Sequence, residues 1–154
     1  MLLTLQNLYH TLPAHHRLLG VDPGKKRIGL ALSDLSLMLA SPYKTIKRGK
    51  ISQIAQDIQA LQSQEALGGM VIGFPLNMDG TIGPAAQAVK DWAAVLAQTV
   101  HLPFCLWDER LSSAAVNRML IEDVDVSRQR REELVDKLAA TYILQSALDS
   151  LVRT

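Results

Sequence analysis

Two short apolar runs, Leu18–Val21 and Ile28–Leu32, flank the six residues Asp22-Pro23-Gly24-Lys25-Lys26-Arg27. Runs of that length around a glycine-bearing turn predict a β-hairpin, because a helix needs a 3.6-residue apolar period sustained for longer. A third strand near Ser41–Ile46 extends the hairpin to an antiparallel meander. After Lys50 the period changes: Ile51, Ile54, Ala55, Ile58 and Leu61 fall at helical spacing, with Gly68-Gly69 as the expected stop. Met70–Gly73 then predicts a buried strand closed by Phe74-Pro75. Leu76–Pro84 predicts a loop, and Pro84 suits the first turn of a helix with Val89, Trp92, Ala93 and Leu96 on its inner stripe. Pro103–Trp107 predicts a fifth strand. Ser112 or Ser113 can cap a helix reaching about Ile121, and Ser127 a last long helix reaching about Leu151. The order βββαβαβαα predicts an α/β fold. Its five-stranded mixed sheet carries helices on both faces, and right-handed crossovers make the helix-separated strands parallel neighbours.

At 154 residues the chain has room for one such core. With 48% hydrophobic and 20% charged residues, its composition is that of a globule, which excludes disordered and fibrous classes. No apolar run approaches the roughly 20 residues of a membrane span, and the first dozen residues lack the basic start of a signal peptide. The single cysteine, Cys105, can form neither an internal disulfide nor a metal site alone, so a cytoplasmic location and no membrane partner are expected. Net charge is only +1, but residues 1–50 carry eight Lys/Arg against Asp22 and Asp34. That segment can form a phosphate-attracting face on an otherwise acidic molecule.

Asp22 leaves a hydrophobic strand just before Pro23-Gly24 turns the chain, at the end of the sheet where ligands of α/β proteins gather. Asp108-Glu109-Arg110 repeats the arrangement after the fifth strand. Since successive side chains alternate faces, only one of Asp108 and Glu109 is expected to face Asp22. Asp136 shares a helix face with Ala139, Ala140, Ile143 and Ala147, where a carboxylate is costly unless paired or bound to a cation. Three converging carboxylates repel unless divalent cations hold them, and oxygen-only donors favour Mg²⁺ or Mn²⁺ over zinc. Two such ions about 4 Å apart support in-line phosphodiester hydrolysis, so a two-metal nuclease is expected. Lys25, Lys26, Arg27 and Arg110 are the candidate phosphate contacts. Asn77 lies in the Asn-, Asp- and Gly-bearing loop 73–83, which can approach a ribose-phosphate backbone closely.

Four blocks carry a resemblance to a known family. They are Leu19-Gly20-Val21-Asp22-Pro23-Gly24-Lys25-Lys26-Arg27-Ile28-Gly29-Leu30-Ala31-Leu32-Ser33-Asp34, Gly73-Phe74-Pro75-Leu76-Asn77-Met78-Asp79-Gly80, Asp108-Glu109-Arg110-Leu111-Ser112 and Val135-Asp136-Lys137-Leu138-Ala139-Ala140. In this order, over about residues 18–150, they closely resemble the YqgF family, also called RuvX. These bacterial proteins are described as Holliday junction resolvases and as nucleases that process pre-16S rRNA ends. The resemblance implies an RNase H-like nuclease domain over 18–154 behind an N-terminal extension, 1–17, whose His10, His15 and His16 belong to a surface segment. It selects Glu109 over Asp108 and implies a catalytic, metal-binding set of Asp22, Glu109 and Asp136 with Mg²⁺ or Mn²⁺. Many RNase H-like enzymes carry an acid at the end of the fourth strand. Here Gly73-Phe74-Pro75 stands there, which leaves Asp79 or Asp108 to complete the site.

The implied activity is hydrolysis at the 5′ end of pre-16S rRNA in ribosome biogenesis. Its partners would be structured RNA and the small ribosomal subunit, and the protein a monomer or weak homodimer. Cleavage of branched DNA is the alternative. Two other classes compete. Asp-x-Gly after a first strand also opens the phosphate hairpin of actin-like ATPases and sugar kinases, which enclose ATP between two domains. The other is a non-catalytic RNA- or ribosome-binding module. Aromatic residues make up 5% of the chain, so recognition by backbone shape is expected over base stacking. Trp92, Trp107 and Cys105 are expected in or near the core.

Overall fold

The computed structural model describes residues 1–111 and 128–153, without the side chains of residues 128–134 and 136. Its elements are α1 (Leu5–Thr11), β1 (Arg17–Pro23), β2 (Arg27–Ser33), β3 (Ala40–Lys47), α2 (Ile51–Glu65), β4 (Leu67–Phe74), α3 (Pro84–Val100), β5 (Phe104–Asp108), a 3₁₀ turn (Glu109–Leu111) and α4 (Arg128–Asp149). The five strands form one sheet in the order β3-β2-β1-β4-β5. The β1–β2 and β2–β3 pairs are antiparallel, whereas β1–β4 and β4–β5 are parallel. This is the expected mixed sheet. The helix expected between Ser112 or Ser113 and Ile121, and the Ser127 cap, lie outside the described residues.

Alternation along the strands divides the apolar residues between two cores. Leu19, Val21, Ile28, Leu30, Met70, Ile72 and Phe104 pack on one face against α2 and α3. Leu18, Ala31, Val71 and Cys105 pack on the other against α4 and α1. Burying each of Ile54, Ile58 and Leu96 from the helices contributes roughly 1.5–3 kcal/mol. Trp92 and Trp107 lie half-buried at the margins of these cores, and Cys105 is 1% exposed. Burial pushes the Cys105 thiol up to about 12.

Two sequence expectations change. Gly68-Gly69 does not end α2; the stop is Ala66, in the left-handed region with φ 53°, and both glycines lie inside β4. A methyl group on Gly68 would come within 2.4 Å of Leu12 Cδ1, and one on Gly69 within 2.7 Å of Leu8 Cδ1. The glycines admit the N-terminal segment to the strand. That segment carries α1, a helix absent from the expected order, capped by the Thr4 side chain, which accepts from the Asn7 N–H. Leu8 is fully buried in the core of the α4 face, and residues 1–3 pair with Phe104 at the β5 edge. Covering that edge removes an open row of strand donors and acceptors. His10 and His15 are exposed and His16 is half-buried.

Ala139, Ala140 and Ala147 let α4 lie close to the sheet, and Gly20 of β1 completes the approach. Ala140 and Leu144 sit over Gly20 and Ile143 over Gly73, while Gln145 bonds Ala40 N–H and Met38 C=O at the β2–β3 turn. The N-terminal half of α4 therefore lies toward the end of the sheet where β1 and β4 finish. No helix among the described residues is long and apolar enough to cross a membrane.

Candidate active site at the carboxyl edge of the sheet

Because β1, β4 and β5 run parallel, Asp22, Gly73 and the Asp108-Glu109 pair leave the sheet at one edge. Val21 is level with Ile72, and Gly73 with Trp107. Asp22 follows Leu18 and Gly20 on the α4 face, and Gly73 and Trp107 share that face. Strands about 4.8 Å apart leave β1 and β5 roughly 10 Å from each other, with β4 between. Glu109 Cγ lies 3.4 Å from where a methyl group on Gly73 would stand, so its side chain lies over β4, the strand between β5 and β1. The fourth-strand position that lacks an acid provides the room for this side chain.

Asp22 is 1% exposed, one of two buried polar residues among the described ones. A carboxylate that far from water needs hydrogen bonds or cations around it. Its backbone carbonyl accepts from Gly24 N–H at 3.0 Å, and this tightens the turn into β2. Glu109 is half-buried. Asp136 stands on α4 one turn before Ala140, toward the same edge, and its side chain lies outside the described residues. Among the described residues no three His, Cys, Asp or Glu side chains gather into a metal-binding group.

Asp108 and Asp79 have other partners. Asp108 Oδ2 takes Arg110 Nη2 at 2.8 Å, and Oδ1 takes Arg110 Nε and backbone N–H. The Arg110 guanidinium holds the Asp108 carboxyl below the usual carboxylate range. Asp79 accepts from the Thr81 hydroxyl at 2.6 Å and from the Thr81 N–H, and these bonds lower its pKa. Arg110 Nη1 also donates to the Met78 carbonyl at 3.0 Å, so Arg110 ties loop 75–83 to the end of β5. Asn77 turns into the same loop, its side-chain N–H donating to Thr81 Oγ1 at 3.0 Å. Both residues shape the loop that follows β4 at this edge of the sheet. Lys25 and Lys26 are exposed on the β1–β2 turn, and Arg27 is half-buried at the start of β2.

The depressed Asp108 pKa fixes a sign. Its contribution is fully present above the unfolded value of about 3.9 and is lost as pH falls through the lower folded value. Asp108→Asn is expected to lower the urea midpoint at neutral pH, and the gap to the parent protein should shrink as pH falls below the usual carboxylate range. A gap that stays constant with pH would mean that the ion pair does not hold the loop.

Sequence reasoning missed Arg48. Its Nη1 donates to the Gly24 carbonyl at 2.8 Å, its backbone N–H to the Lys26 carbonyl at 3.0 Å, and its guanidinium lies 5.3 Å from the Trp92 ring centre. Nothing in the run Lys47-Arg48-Gly49-Lys50 marks one cation as the support of the Asp22 turn.

The geometry fits what the chain resembles. Among solved structures, Thermus thermophilus RuvC in complex with a Holliday junction substrate superposes with TM-score 0.54 at 12% identity, over 88% of this chain and 95% of that one. A second Thermus thermophilus RuvC structure gives TM-score 0.51 at 13% identity, over 86% and 93%. At such identity the likeness shows the fold, which is RNase H-like. A protein of Gluconacetobacter diazotrophicus named "Putative pre-16S rRNA nuclease" is 63% identical over 134 residues, 87% of each chain. One of the same name from Gluconobacter oxydans is 50% identical over 144 residues, 94% of this chain and 90% of that one. The family model described as "RuvX: Holliday junction resolvase" matches residues 16–150. With that match across most of its length, the chain belongs to the RuvX (YqgF) family.

Proposed function

We infer that the chain is a divalent-cation-dependent nuclease that hydrolyses phosphodiester bonds at the 5′ end of pre-16S rRNA. The observations that support this reading are the buried Asp22 at the end of β1 and the Glu109 side chain over Gly73 of β4, at the same carboxyl edge of the sheet. Close relatives bear the name of that substrate. Carboxylate oxygens without sulfur or imidazole suit Mg²⁺ or Mn²⁺, and Asp22, Glu109 and Asp136 would hold the ions. Such ions supply an ionised water and neutralise charge gathering on the phosphate. Burial fixes Asp22 at one position, while Glu109, on a longer side chain after the strand, adjusts to it. Lys25, Lys26 and Arg27 attract phosphates that flank the cleaved bond, and Asn77 and Arg110 hold the bordering loop in shape.

A second reading has its own support. The family description names a Holliday junction resolvase, and the RuvC neighbour is bound to such a junction. Incubating the protein and its Asp22→Asn variant with a pre-16S rRNA fragment and a four-way DNA junction, under the same salt and Mn²⁺, separates the two. Cleavage of the RNA alone, lost in the variant, is the expected result. Preferred cleavage of the junction would transfer the activity to branched DNA, and equal cleavage by parent and variant would remove the nuclease reading.

A further inference from the structure

We propose that the concavity where the start of β2 meets the end of β3 is an extended phosphate-backbone site, which holds the nucleic-acid strand where it leaves the Asp22–Glu109 edge. The proposal rests on the nuclease reading and extends it to a wall, from β3, that the sequence motifs do not include. The cavity is about 670 Å³, and its lining contains Lys25, Lys26, Arg27, Lys47 and Arg48 with no acidic side chain. Lys25, Lys26 and Lys47 are exposed, and among the described residues none of the three makes an ion pair. Like charges gathered this closely repel, and a polyanion relieves that repulsion.

Register links the cavity to the site. Asp22 pairs with Gly29, Gly29 with Thr45, and Arg27 with Lys47. Directly paired residues share a face, so Thr45, which lines the cavity, lies on the face of Asp22, with a side-chain-free position between them. Thr45 is two strands from Asp22, about 10 Å, and Lys47 stands two residues nearer the strand end. That is too far for the phosphate being cleaved and suits a flanking one. The wall is also braced. Arg48 bonds the Gly24 and Lys26 carbonyls of the facing turn and lies over Trp92, so the cations of turn and strand keep their spacing before any ligand arrives.

The test is fluorescence anisotropy with a labelled single-stranded fragment of the pre-16S rRNA leader, in EDTA so that no cleavage intervenes, across a series of NaCl concentrations. A four-way DNA junction serves as a second arm. The triple variant Lys25→Ala/Lys26→Ala/Lys47→Ala is expected to bind the RNA about tenfold or more weakly, with its log–log salt slope smaller by about 2. Lys47→Ala alone should lower the slope by about 0.7. Lys90→Ala, on α3 away from the cavity lining, should match the parent protein. If Lys47→Ala or the triple variant binds like Lys90→Ala with an unchanged slope while the parent binds, the cavity proposal fails and the nuclease reading stands. If the parent binds neither RNA nor junction at any salt, both fail. A loss in the junction arm alone would support the site and assign the strand to DNA.

Discussion

Asp22→Asn is expected to reduce phosphodiester cleavage on the order of 10³-fold or more, which corresponds to about 4 kcal/mol of transition-state stabilisation, while the protein still folds. The size follows from burial. At 1% exposure the Asp22 carboxylate has almost no water to replace a lost charge interaction, and an amide of the same shape offers a neutral oxygen where a cation needs an anion. Shape is conserved, so the β1–β2 turn, closed by the Asp22 backbone carbonyl and Gly24 N–H, stays intact. Thermal unfolding separates this cause from damage. In EDTA the variant should still unfold in one cooperative transition near the parent temperature, because the amide keeps the carboxylate's shape. Added Mn²⁺ should raise the parent's melting temperature and leave the variant's unchanged, as linkage requires of a ligand that binds only the folded protein. Equal metal-induced shifts in both proteins would exclude Asp22 as a ligand, whatever happened to the rate.

How much of this was legible before the structure depends on the range of the interaction involved. Asp22 could be found because its signal is local: an apolar strand, then Pro-Gly, inside six residues. Strand alternation likewise allowed only one of Asp108 and Glu109 to face Asp22, and the structure gives Asp108 to Arg110. Misreadings arose where a distant residue decides. Gly68-Gly69 looks like a helix stop until Leu8 and Leu12, more than fifty positions earlier, are found against those glycines. Helix α1 had a visible sign in Thr4 before Leu5 and Leu8, but seven residues carry too little apolar period to stand out, and its stability comes from Leu8 entering a core assembled by other elements. Arg110 was legible as a cation and not as a clamp, because its partner Met78 offers only a backbone carbonyl, which any residue type supplies. The absent fourth-strand acid reads as a deficit in one dimension. In three dimensions Gly73 is the space that Glu109 uses.

Gly20→Ala and Gly73→Ala should therefore behave differently. A methyl group on Gly20 would stand 2.8 Å from Leu144 Cβ and 3.0 Å from the Ala140 carbonyl oxygen. Neither atom can move without the α4 backbone, so the helix must lift from the sheet. Overpacking of this kind costs roughly 1–3 kcal/mol, or a melting temperature lower by about 3–10 °C in a chain of this size. Lifting α4 also withdraws the turn that carries Asp136, and activity should fall along with stability. At Gly73 the nearest atom, 2.5 Å away, is Ile143 Cδ1, the tip of a flexible side chain that can rotate aside, and the next neighbours are Ile143 Cγ1 and Glu109 Cγ. Gly73→Ala should thus lose little stability, within about 1 kcal/mol, and keep most of its cleavage, because the methyl group would meet Glu109 Cγ only at van der Waals distance, 3.4 Å. Denaturant midpoints and single-turnover cleavage rates, measured on both variants, test the contrast. A Gly73→Ala protein that keeps its stability and loses cleavage would mean that Glu109 needs the space over β4 to be empty.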